Sequence, residues 1–235
     1  MGEEHVRQLV AVVTTVGICI LAAGCHNTNS STSKTSTTTS TTTTKAPPPV
    51  AQGSLKGFLL SPDQVNAAMG AKDMTVTKSR TAMSDDSASM TPKECLAIDG
   101  AVQAQVYAGG GVIAVRDQTL QEGDNFAHFA EQAVVLFPSA KQAGAFFATQ
   151  GQQWQTCHDY THVQSQTQWS VEGILNVNGM LSTIATQENA NSPGWACGRA
   201  LAVRNNVIID VNTCSADPKN SAVDLANQIA AKIPA

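Results

Sequence analysis

The chain has 235 residues, with 14 basic and 18 acidic residues and a net charge of −4. No basic stripe occurs along it, which argues against a nucleic-acid partner and against charge-driven recruitment to anionic lipid headgroups. Charged residues make up only 14% of the chain, and hydrophobic residues make up 42%, which suits a folded domain rather than a disordered chain.

The N-terminus is typical of an exported lipoprotein. Residues 9–23 are apolar or small, too few to cross a hydrocarbon core of roughly 30 Å as a helix, but long enough for the core of a signal peptide. Ala22-Ala23-Gly24-Cys25 follows and resembles a bacterial lipobox, with Leu21 one place earlier than the usual leucine. We therefore expect a signal peptide over residues 1–24 and a lipid on Cys25, which anchors the chain to the membrane. An ordinary secretory signal and an N-terminal membrane anchor are the alternatives.

Residues 25–54 form the predicted linker. A run of Ser and Thr covers residues 30–44, and Pro47, Pro48 and Pro49 follow. Such a segment has almost nothing to bury and cannot offset its chain entropy, so we expect it to be disordered. Its composition also suits O-glycosylation, and the prolines stiffen its end.

Residues 55–235 have the length of one folded domain. Cys19 falls in the signal peptide and Cys25 takes the lipid. Four cysteines remain in the domain: Cys95, Cys157, Cys197 and Cys214. An even number of cysteines outside the cytoplasm predicts disulfides, for which three pairings are possible. We favour pairing the first two with each other and the last two with each other, because the last two lie on one predicted hairpin.

The first part of the domain mixes short helices and strands. Ser61 as N-cap, Pro62 in the first turn and Gly70 as the stop predict a short helix. Alternation of apolar and polar residues predicts strands over 74–83, 102–107, 112–118, 126–137, 160–168, 169–176 and 181–188. Ser139 caps a predicted helix that runs to about Trp154.

The last part predicts a hairpin and a helix. Strands over 196–204 and 207–211 flank Asn205 and Asn206, which tolerate the positive φ of a tight turn. A helix over 221–233 closes the chain. Many hairpin-linked strands with helices in separate blocks predict an α+β fold, with a central antiparallel sheet and flanking helices.

The densest cluster of reactive side chains is the segment 157–162. His158 and His162 share a face, which makes a metal site conceivable. The favoured interpretation is a bridged Cys157 followed by histidines on an exposed strand entry. CxxC spacing is absent from the sequence, so we predict no metal and no other cofactor.

Catalytic motifs are missing. The sequence contains no Gly-x-Ser-x-Gly elbow, no His-Glu-x-x-His helix and no glycine-rich nucleotide loop. Asp85 and Asp86 lie in a polar loop. Glu131 and Asp210 lie inside predicted strands, where a carboxylate usually faces outward or is hydrogen-bonded. We therefore predict a protein that is not an enzyme.

The few aromatic residues divide into core and ligand candidates. Trp154 and Trp195 are expected to pack beside the disulfides. Trp169, flanked by polar residues, is the candidate for a ring that faces a ligand. Together with His158 and Tyr160 it forms the predicted ligand-binding set.

Several segments resemble the PknH-like extracellular sensor domain family of mycobacteria. They are residues 59–70, Glu94-Cys95-Leu96, 104–107, 132–139, Trp154 to Cys157, 194–197, and 206–210 with Cys214. The resemblance covers nearly all of residues 57–234. It implies an α+β domain with a central antiparallel sheet, two disulfides in the pairing favoured above and a large cleft for a ligand.

The expected function is therefore binding. We expect a lipid-anchored domain on the outer face of the plasma membrane, holding a small molecule or a cell-envelope component in a cleft without catalysis. The alternatives are an envelope hydrolase or transferase, and a protein that docks a membrane-spanning partner. A kinase domain and a membrane-spanning helix, which the family's receptor kinases have, are not found in the sequence, so signalling would need such a partner.

Overall fold

The computed structural model describes residues 47–235. Within them the strands are β1 Thr75–Arg80, β2 Met90–Thr91, β3 Ala114–Gln121, β4 Phe129–Leu136, β5 Asp159–His162, β6 Gln168–Val171, β7 Leu175–Val177, β8 Met180–Gln187, β9 Ala196–Arg204 and β10 Val207–Ser215. The α-helices are α1 Leu55–Phe58, α2 Pro62–Met69, α3 Leu96–Asp99, α4 Ala104–Tyr107, α5 Ala140–Gln153 and α6 Ser221–Lys232. Single 3-10 turns lie at Gln52–Ser54, Lys93–Cys95 and Trp154–Thr156.

The predicted signal peptide, Cys19, Cys25 and the Ser/Thr run lie outside the described residues. In the part of the chain that the structure describes, no helix combines the length and the apolarity needed to cross a membrane.

The folded domain includes residues that the sequence assigns to the linker. The Val50 amide donates to Asn206 Oδ1 at 2.7 Å, and Asn205 Nδ2 donates to the Pro48 carbonyl at 3.0 Å. Two asparagines of a tight turn thus hold the segment just before α1. These hydrogen bonds attach Pro48 and Val50, which precede the predicted boundary at residue 55, to the folded domain.

All the strands belong to one antiparallel sheet. Their order is β1-β3-β4-β10-β9-β8-β6-β5-β2, and β7 pairs with the part of β8 that β6 leaves free. The central strand β10 is buried along its whole length, because helices cover both faces of the sheet. The predicted fold class, an antiparallel α+β domain with two disulfides, is confirmed.

Each face of the sheet carries its own hydrophobic core. On one face α1, α2 and α6 pack Val65, Leu225 and Ile229 against the middle strands. On the other face α5 and the segment around α3 and α4 cover a second core, which includes both disulfides, Phe137 and Trp154. A polar cleft opens at the edge of this second core.

Local capping signals predicted the longer helices well. The Gln64 amide donates to Ser61 Oγ while Gln64 Oε1 accepts from the Ser61 amide, which closes the N-terminus of α2. Gly70 ends that helix at φ 67°. Ser139 accepts from the Gln142 amide at the start of α5. Asn205 has φ 53° in the turn between β9 and β10, as the predicted hairpin requires.

The predicted strand over 102–107 is wrong, because residues 104–107 form the short helix α4. The Val102 amide and the Tyr107 hydroxyl both donate to Asp210 Oδ2, each at 2.8 Å. An extended segment cannot bring donors five residues apart to one oxygen, so this buried carboxylate overrides the alternating pattern.

The two disulfides join Cys95 to Cys157 and Cys197 to Cys214, which is the pairing favoured from the sequence. The first links the 3-10 turn before α3 to the end of the turn that follows α5. The second joins directly opposite positions of β9 and β10. Together they fix the second core at two separate places.

Candidate ligand-binding cleft

Charged side chains cross the sheet beneath the second core. From the β1 edge inward they are Arg80, Asp117, Glu131, Asp210 and Arg199. All except Arg80 are buried. Charged groups are almost never fully buried unless they are paired. Here they form two groups, one around Arg199 and one around Arg80.

Arg199 fastens the end of α3 to the sheet. Its Nη2 lies 2.8 Å from Asp210 Oδ1 and donates to the carbonyls of Ala97, at 2.8 Å, and Gly100, at 3.2 Å. The guanidinium also stacks over the Trp154 ring, 5.3 Å from its centroid. Arg199 is only 2% exposed. One planar cation thus satisfies the carbonyl groups that the end of a helix leaves unpaired.

Asp210 holds the segment that follows α3. Its Oδ2 accepts the Val102 amide and the Tyr107 hydroxyl, as described above. Val102 has φ 44°, a conformation in which a β-branched residue is strained. Burial, and then the nearby Asp210 carboxylate, raise the pKa of Tyr107 well above its usual value, so that its hydroxyl stays a donor. Residues 97–107 are therefore held by two buried side chains of the sheet.

The second charged group lies at the edge of the cleft. Arg80 Nη1 donates to Asp117 Oδ2 at 2.8 Å and to Glu131 Oε1 at 3.3 Å. Burial raises the pKa of Glu131 to about 8, and the neighbouring Asp117 adds to the effect. Burial also raises the pKa of Asp117, which the hydrogen bond from Arg80 opposes. The raised pKa favours the protonated form of the Glu131 carboxyl group, which can donate a hydrogen bond.

Of these charged side chains, Arg80 and Glu131 line an open cleft of about 430 Å³. Its floor is made by Thr119, Glu131 and Asn212, which are cross-strand neighbours on β3, β4 and β10. The remaining side chains and the one glycine around it are Lys78, Arg80, Ser84, Asp86, Ser89, Asp99, Gly100, Gln103, Gln121, Phe129 and His162. They include donors and acceptors, both signs of charge and one aromatic ring, which suits a polar ligand.

Hydrogen bonds fix the walls of the cleft relative to each other. Gln103 Nε2 donates to Asp86 Oδ2 at 2.8 Å, and Gln103 Oε1 accepts the Asp86 amide at 2.9 Å. Asn212 Nδ2 donates to the Asp99 carbonyl, and Asp99 Oδ1 lies 2.7 Å from His162 Nε2. This last hydrogen bond raises the pKa of His162, against the opposing effect of burial. The cleft is therefore a rigid site whose polar groups are already in place.

The cleft does not have the features of a common catalytic or metal site. Among residues 47–235 no group of three metal-ligating side chains comes together. In the same part of the chain, two of the three histidine rings hydrogen-bond to carboxylates, in the pairs His128–Glu122 and His162–Asp99, and His158 is exposed outside the cleft. The arrangement can recognise a polar molecule through many weak contacts, and it provides no activated hydroxyl or thiol nucleophile.

The three predicted ligand-binding residues do not lie together in this cleft. His158 is exposed just before β5. Tyr160 and Trp169 face each other across β5 and β6, with parallel rings 5.9 Å apart, and are 3% and 8% exposed. The Trp169 ring packs on Tyr160 and does not line this cleft, and its contact with a ligand stays a prediction. Both rings instead support His162, the residue of that segment that reaches the cleft.

Sequence reasoning missed Arg199 and assigned Glu131 and Asp210 only a passive role. All three lie in strands that are rich in apolar residues. A charge inside such a run is costly unless it is paired, and that is the signal that marks them. The two tryptophans expected beside the disulfides both contact the core that contains them. Trp154 is buried in that core, and the half-buried Trp195 packs against it.

Comparison with known proteins places the chain in a family. The family model described as the PknH-like extracellular domain matches residues 50–232. The serine/threonine-protein kinase PknH of Mycobacterium tuberculosis H37Rv is 35% identical over 190 residues, which cover 79% of this chain and 30% of the kinase. PknH of Mycobacterium bovis is equally similar, with 32% of its length covered. The chain thus matches about a third of the length of these curated relatives.

A solved structure agrees with the sequence comparison. The crystal structure of the extracellular domain of PknH from Mycobacterium tuberculosis superposes with a TM-score of 0.73 at 35% identity, covering 79% of this chain and 97% of that one. The match includes almost the whole of that extracellular domain. By sequence and by structure, this chain belongs to the PknH-like extracellular domain family.

Proposed function

We propose that this protein is a sensor-type binding domain without enzymatic activity, and that the polar cleft is its ligand site. The observation that carries the proposal is the fixed arrangement of the cleft. Buried Arg199 and Asp210 hold residues 97–107 in a strained path. A fold that only needed stability would gain little from such an arrangement, whereas a binding site gains preorganised polar groups.

The compartment follows from the family and from the cysteines. The matched domain of the relatives is described as extracellular. Two disulfides also require an oxidising environment. The finer proposal is that Cys25 carries a lipid that holds the domain on the outer face of the plasma membrane; the lipobox-like residues before Cys25 support it.

A role in signalling would need a second protein. The relatives are named as serine/threonine-protein kinases, and this chain matches only their extracellular domain. A lipid at Cys25 would anchor the chain without spanning the membrane. We therefore propose that any signal passes through a membrane-spanning partner that docks to the ligand-bound domain.

Native mass spectrometry of the full chain purified from its host tests the cleft directly. Ser89 lines the cleft, whereas Ser87, two residues earlier in the same loop, does not. We expect the wild-type chain and the Ser87→Trp variant to carry a co-purifying small molecule. We expect the Ser89→Trp variant to lack it, because the new ring occupies the cleft.

The matched pair of variants separates a blocked cleft from a general loss of folding. Both variants add the same bulk to one loop, so a folding defect affects them alike and is visible by circular dichroism. A co-purifying molecule that remains in the folded Ser89→Trp variant would place the ligand elsewhere. A wild-type chain that carries no small molecule at all would contradict the proposal.

A further inference from the structure

A second hollow opens beside the cleft. It has a volume of about 540 Å³ and lies between the turn that joins β3 to β4 and the loop that joins β8 to β9. Its side chains are mainly amides, a carboxylate and two aromatic rings: Asp124, Asn125, Phe126, Gln187, Asn191 and Trp195. The hollow is open and polar, and its two rings are half-buried. It shares polar side chains and an aromatic lining with the cleft but has only one charged residue, Asp124.

The backbone of Trp195 is held on both sides. Gly194 before it has φ 81°, and a Cβ atom at this position would lie 2.6 Å from the Ala216 carbonyl oxygen. The Gln187 amide donates to the Trp195 carbonyl at 3.0 Å. Cys197, two residues later, is bridged to Cys214. A large, half-buried ring that packs against the second core is therefore carried by a backbone held on both sides.

Aromatic rings connect this hollow to the cleft. The Phe126 ring centroid lies 6.2 Å from that of Trp195 and 6.2 Å from that of Phe129. Phe129 in turn lines the cleft, beside Glu131 on the same strand. Phe126, Phe129 and Trp195, which we call the aromatic bridge, make one continuous path between the two cavities.

This combination of groups fits one class of ligand. A sugar ring has a face of C–H groups that packs on an aromatic ring, and hydroxyl groups around its edge. Asn and Gln side chains can both donate and accept hydrogen bonds, as a hydroxyl group can. An apolar ligand would leave these amides unsatisfied, and the mixed charges of the cleft do not form a site for an anion. Two such cavities joined by rings suit a chain of sugars.

We propose that the cleft, the aromatic bridge and the Trp195 hollow form one track that binds a neutral oligosaccharide. One sugar unit occupies the cleft and later units stack along the bridge into the hollow. This inference rests on the proposed function, because it assumes that the cleft is a ligand site. It adds the chemical class of the ligand and a second site that the cleft alone does not require.

Calorimetric titration of the full chain with a graded set of sugars tests the track. The probes are the methyl glycosides of glucose, galactose, mannose, arabinose and N-acetylglucosamine, and their linear oligomers from disaccharide to hexasaccharide. For at least one sugar type we expect the affinity to rise with chain length. Trp195→Ala should remove that rise, lowering the affinity for the longest oligomer about tenfold, while the single sugar binds as before.

Three further variants separate the parts of the track. Trp195→Phe keeps a stacking ring and should keep most of the rise. Asn191→Ala, an exposed position in the hollow, should lower the affinity for long oligomers without a risk to the core. Lys78→Ala, exposed at the cleft, should weaken single sugars and oligomers alike.

The outcomes distinguish this inference from the proposed function. A length-dependent affinity that persists in both Trp195→Ala and Asn191→Ala overturns the track, while a Lys78→Ala effect on single sugars leaves the cleft as a site. If no sugar of the set binds, the carbohydrate inference is wrong. A different molecule lost from the Ser89→Trp variant in native mass spectrometry would then still support the cleft.

Discussion

Arg199 and Asp210 show how two buried side chains can shape a site that they do not line. They lie on neighbouring strands and contact each other, and between them they bind four backbone or side-chain groups of residues 97–107. Removing either partner leaves the other charge buried and unpaired, which costs more than the pair itself contributes. The wall of the cleft therefore depends on both residues.

We predict that Arg199→Met destabilises the domain by roughly 3–5 kcal/mol, because Asp210 loses its buried partner. Urea unfolding followed by tryptophan fluorescence measures the change. Arg204→Met is the matched control, since Arg204 lies exposed on the same strand, and it should change stability by less than about 0.5 kcal/mol.

The double variant Arg199→Met with Asp210→Leu should recover part of the loss, because no unpaired charge then remains buried. Residues 97–107 lose their hydrogen bonds to both side chains in this double variant. We therefore expect their backbone amides to exchange hydrogen faster than in the wild type, even though part of the stability is recovered. Equal stabilities of Arg199→Met and Arg204→Met would contradict the role given to Arg199.

Glu131 makes stability depend on pH. Its pKa is about 8 in the folded chain and about 4.3 in an unfolded one. Between these values the folded state keeps a proton that the unfolded state releases, so the free energy of unfolding falls as pH rises. The contribution of Glu131 is complete below about pH 4.3 and is lost as pH rises through about 8. We predict that Glu131→Gln flattens this slope.

Urea unfolding at a series of pH values across this window measures the slope. Glu188→Gln, at an exposed position, is the control and should keep the slope of the wild type. His162 also has a raised pKa and contributes with the same sign, so some slope should remain in Glu131→Gln. A slope identical to that of the wild type would mean that Glu131 does not hold its proton in the folded domain.

At the scale of elements, local signals in the sequence were sufficient for some segments and misleading for others. The N-caps Ser61 and Ser139 and the Asn205 turn predicted their elements, because the hydrogen bonds involved are local. Residues 104–107 were predicted as a strand and form a helix. The hydrogen bonds that decide their path go to Asp210, more than 100 residues later in the chain. No local pattern contains that information.

The two disulfides should contribute unequally. They close segments with sequence separations of 62 and 17 residues. A disulfide stabilises the folded state by reducing the entropy of the unfolded chain, and this stabilisation is about 4 kcal/mol for the longer loop and about 3 kcal/mol for the shorter one. We therefore predict that the double Cys95→Ser/Cys157→Ser variant is less stable than Cys197→Ser/Cys214→Ser.

Thermal and urea unfolding of both double variants, with free thiols counted in each, measures the difference. The wild type with both bridges reduced should be less stable than either variant. An unchanged melting temperature after confirmed reduction would contradict a structural role for the bridges. A larger loss for the Cys197–Cys214 bridge would show that its local support of β9 and β10 outweighs chain entropy.

At the scale of the whole molecule, the family and the architecture were predictable and the cleft residues were not. The number of cysteines and the periodicity of the strands can be recognised in a single sequence, and together they predict an α+β domain with two disulfides. The cleft takes its side chains from segments as distant as Lys78, Glu131 and Asn212. The polar neighbours of Trp169 in the sequence favour an exposed ring, but the pairing of β5 with β6 buries the ring on Tyr160.

The proposed anchor gives a prediction about where the protein is found. We expect Cys25→Ser to release the folded chain from the membrane fraction into the soluble fraction or the medium, because the acyl chains are its attachment. Immunoblotting of fractionated host cells measures this. Cys19→Ser, in the predicted signal peptide, is the matched control and should remain in the membrane. A Cys25→Ser chain that stays in the membrane pellet would favour an N-terminal membrane anchor.

Hydrogen exchange of the full chain, before and after its ligand is stripped, tests the central claim most directly. One sample is purified gently from the host. The other is unfolded with its disulfides intact, dialysed and refolded. We predict faster exchange in the stripped sample for residues 84–89 and 97–107, the two walls of the cleft, and equal exchange for residues 175–183, which line neither the cleft nor the second hollow. Equal exchange in both walls, or a difference confined to other parts of the domain, would contradict the cleft as the ligand site.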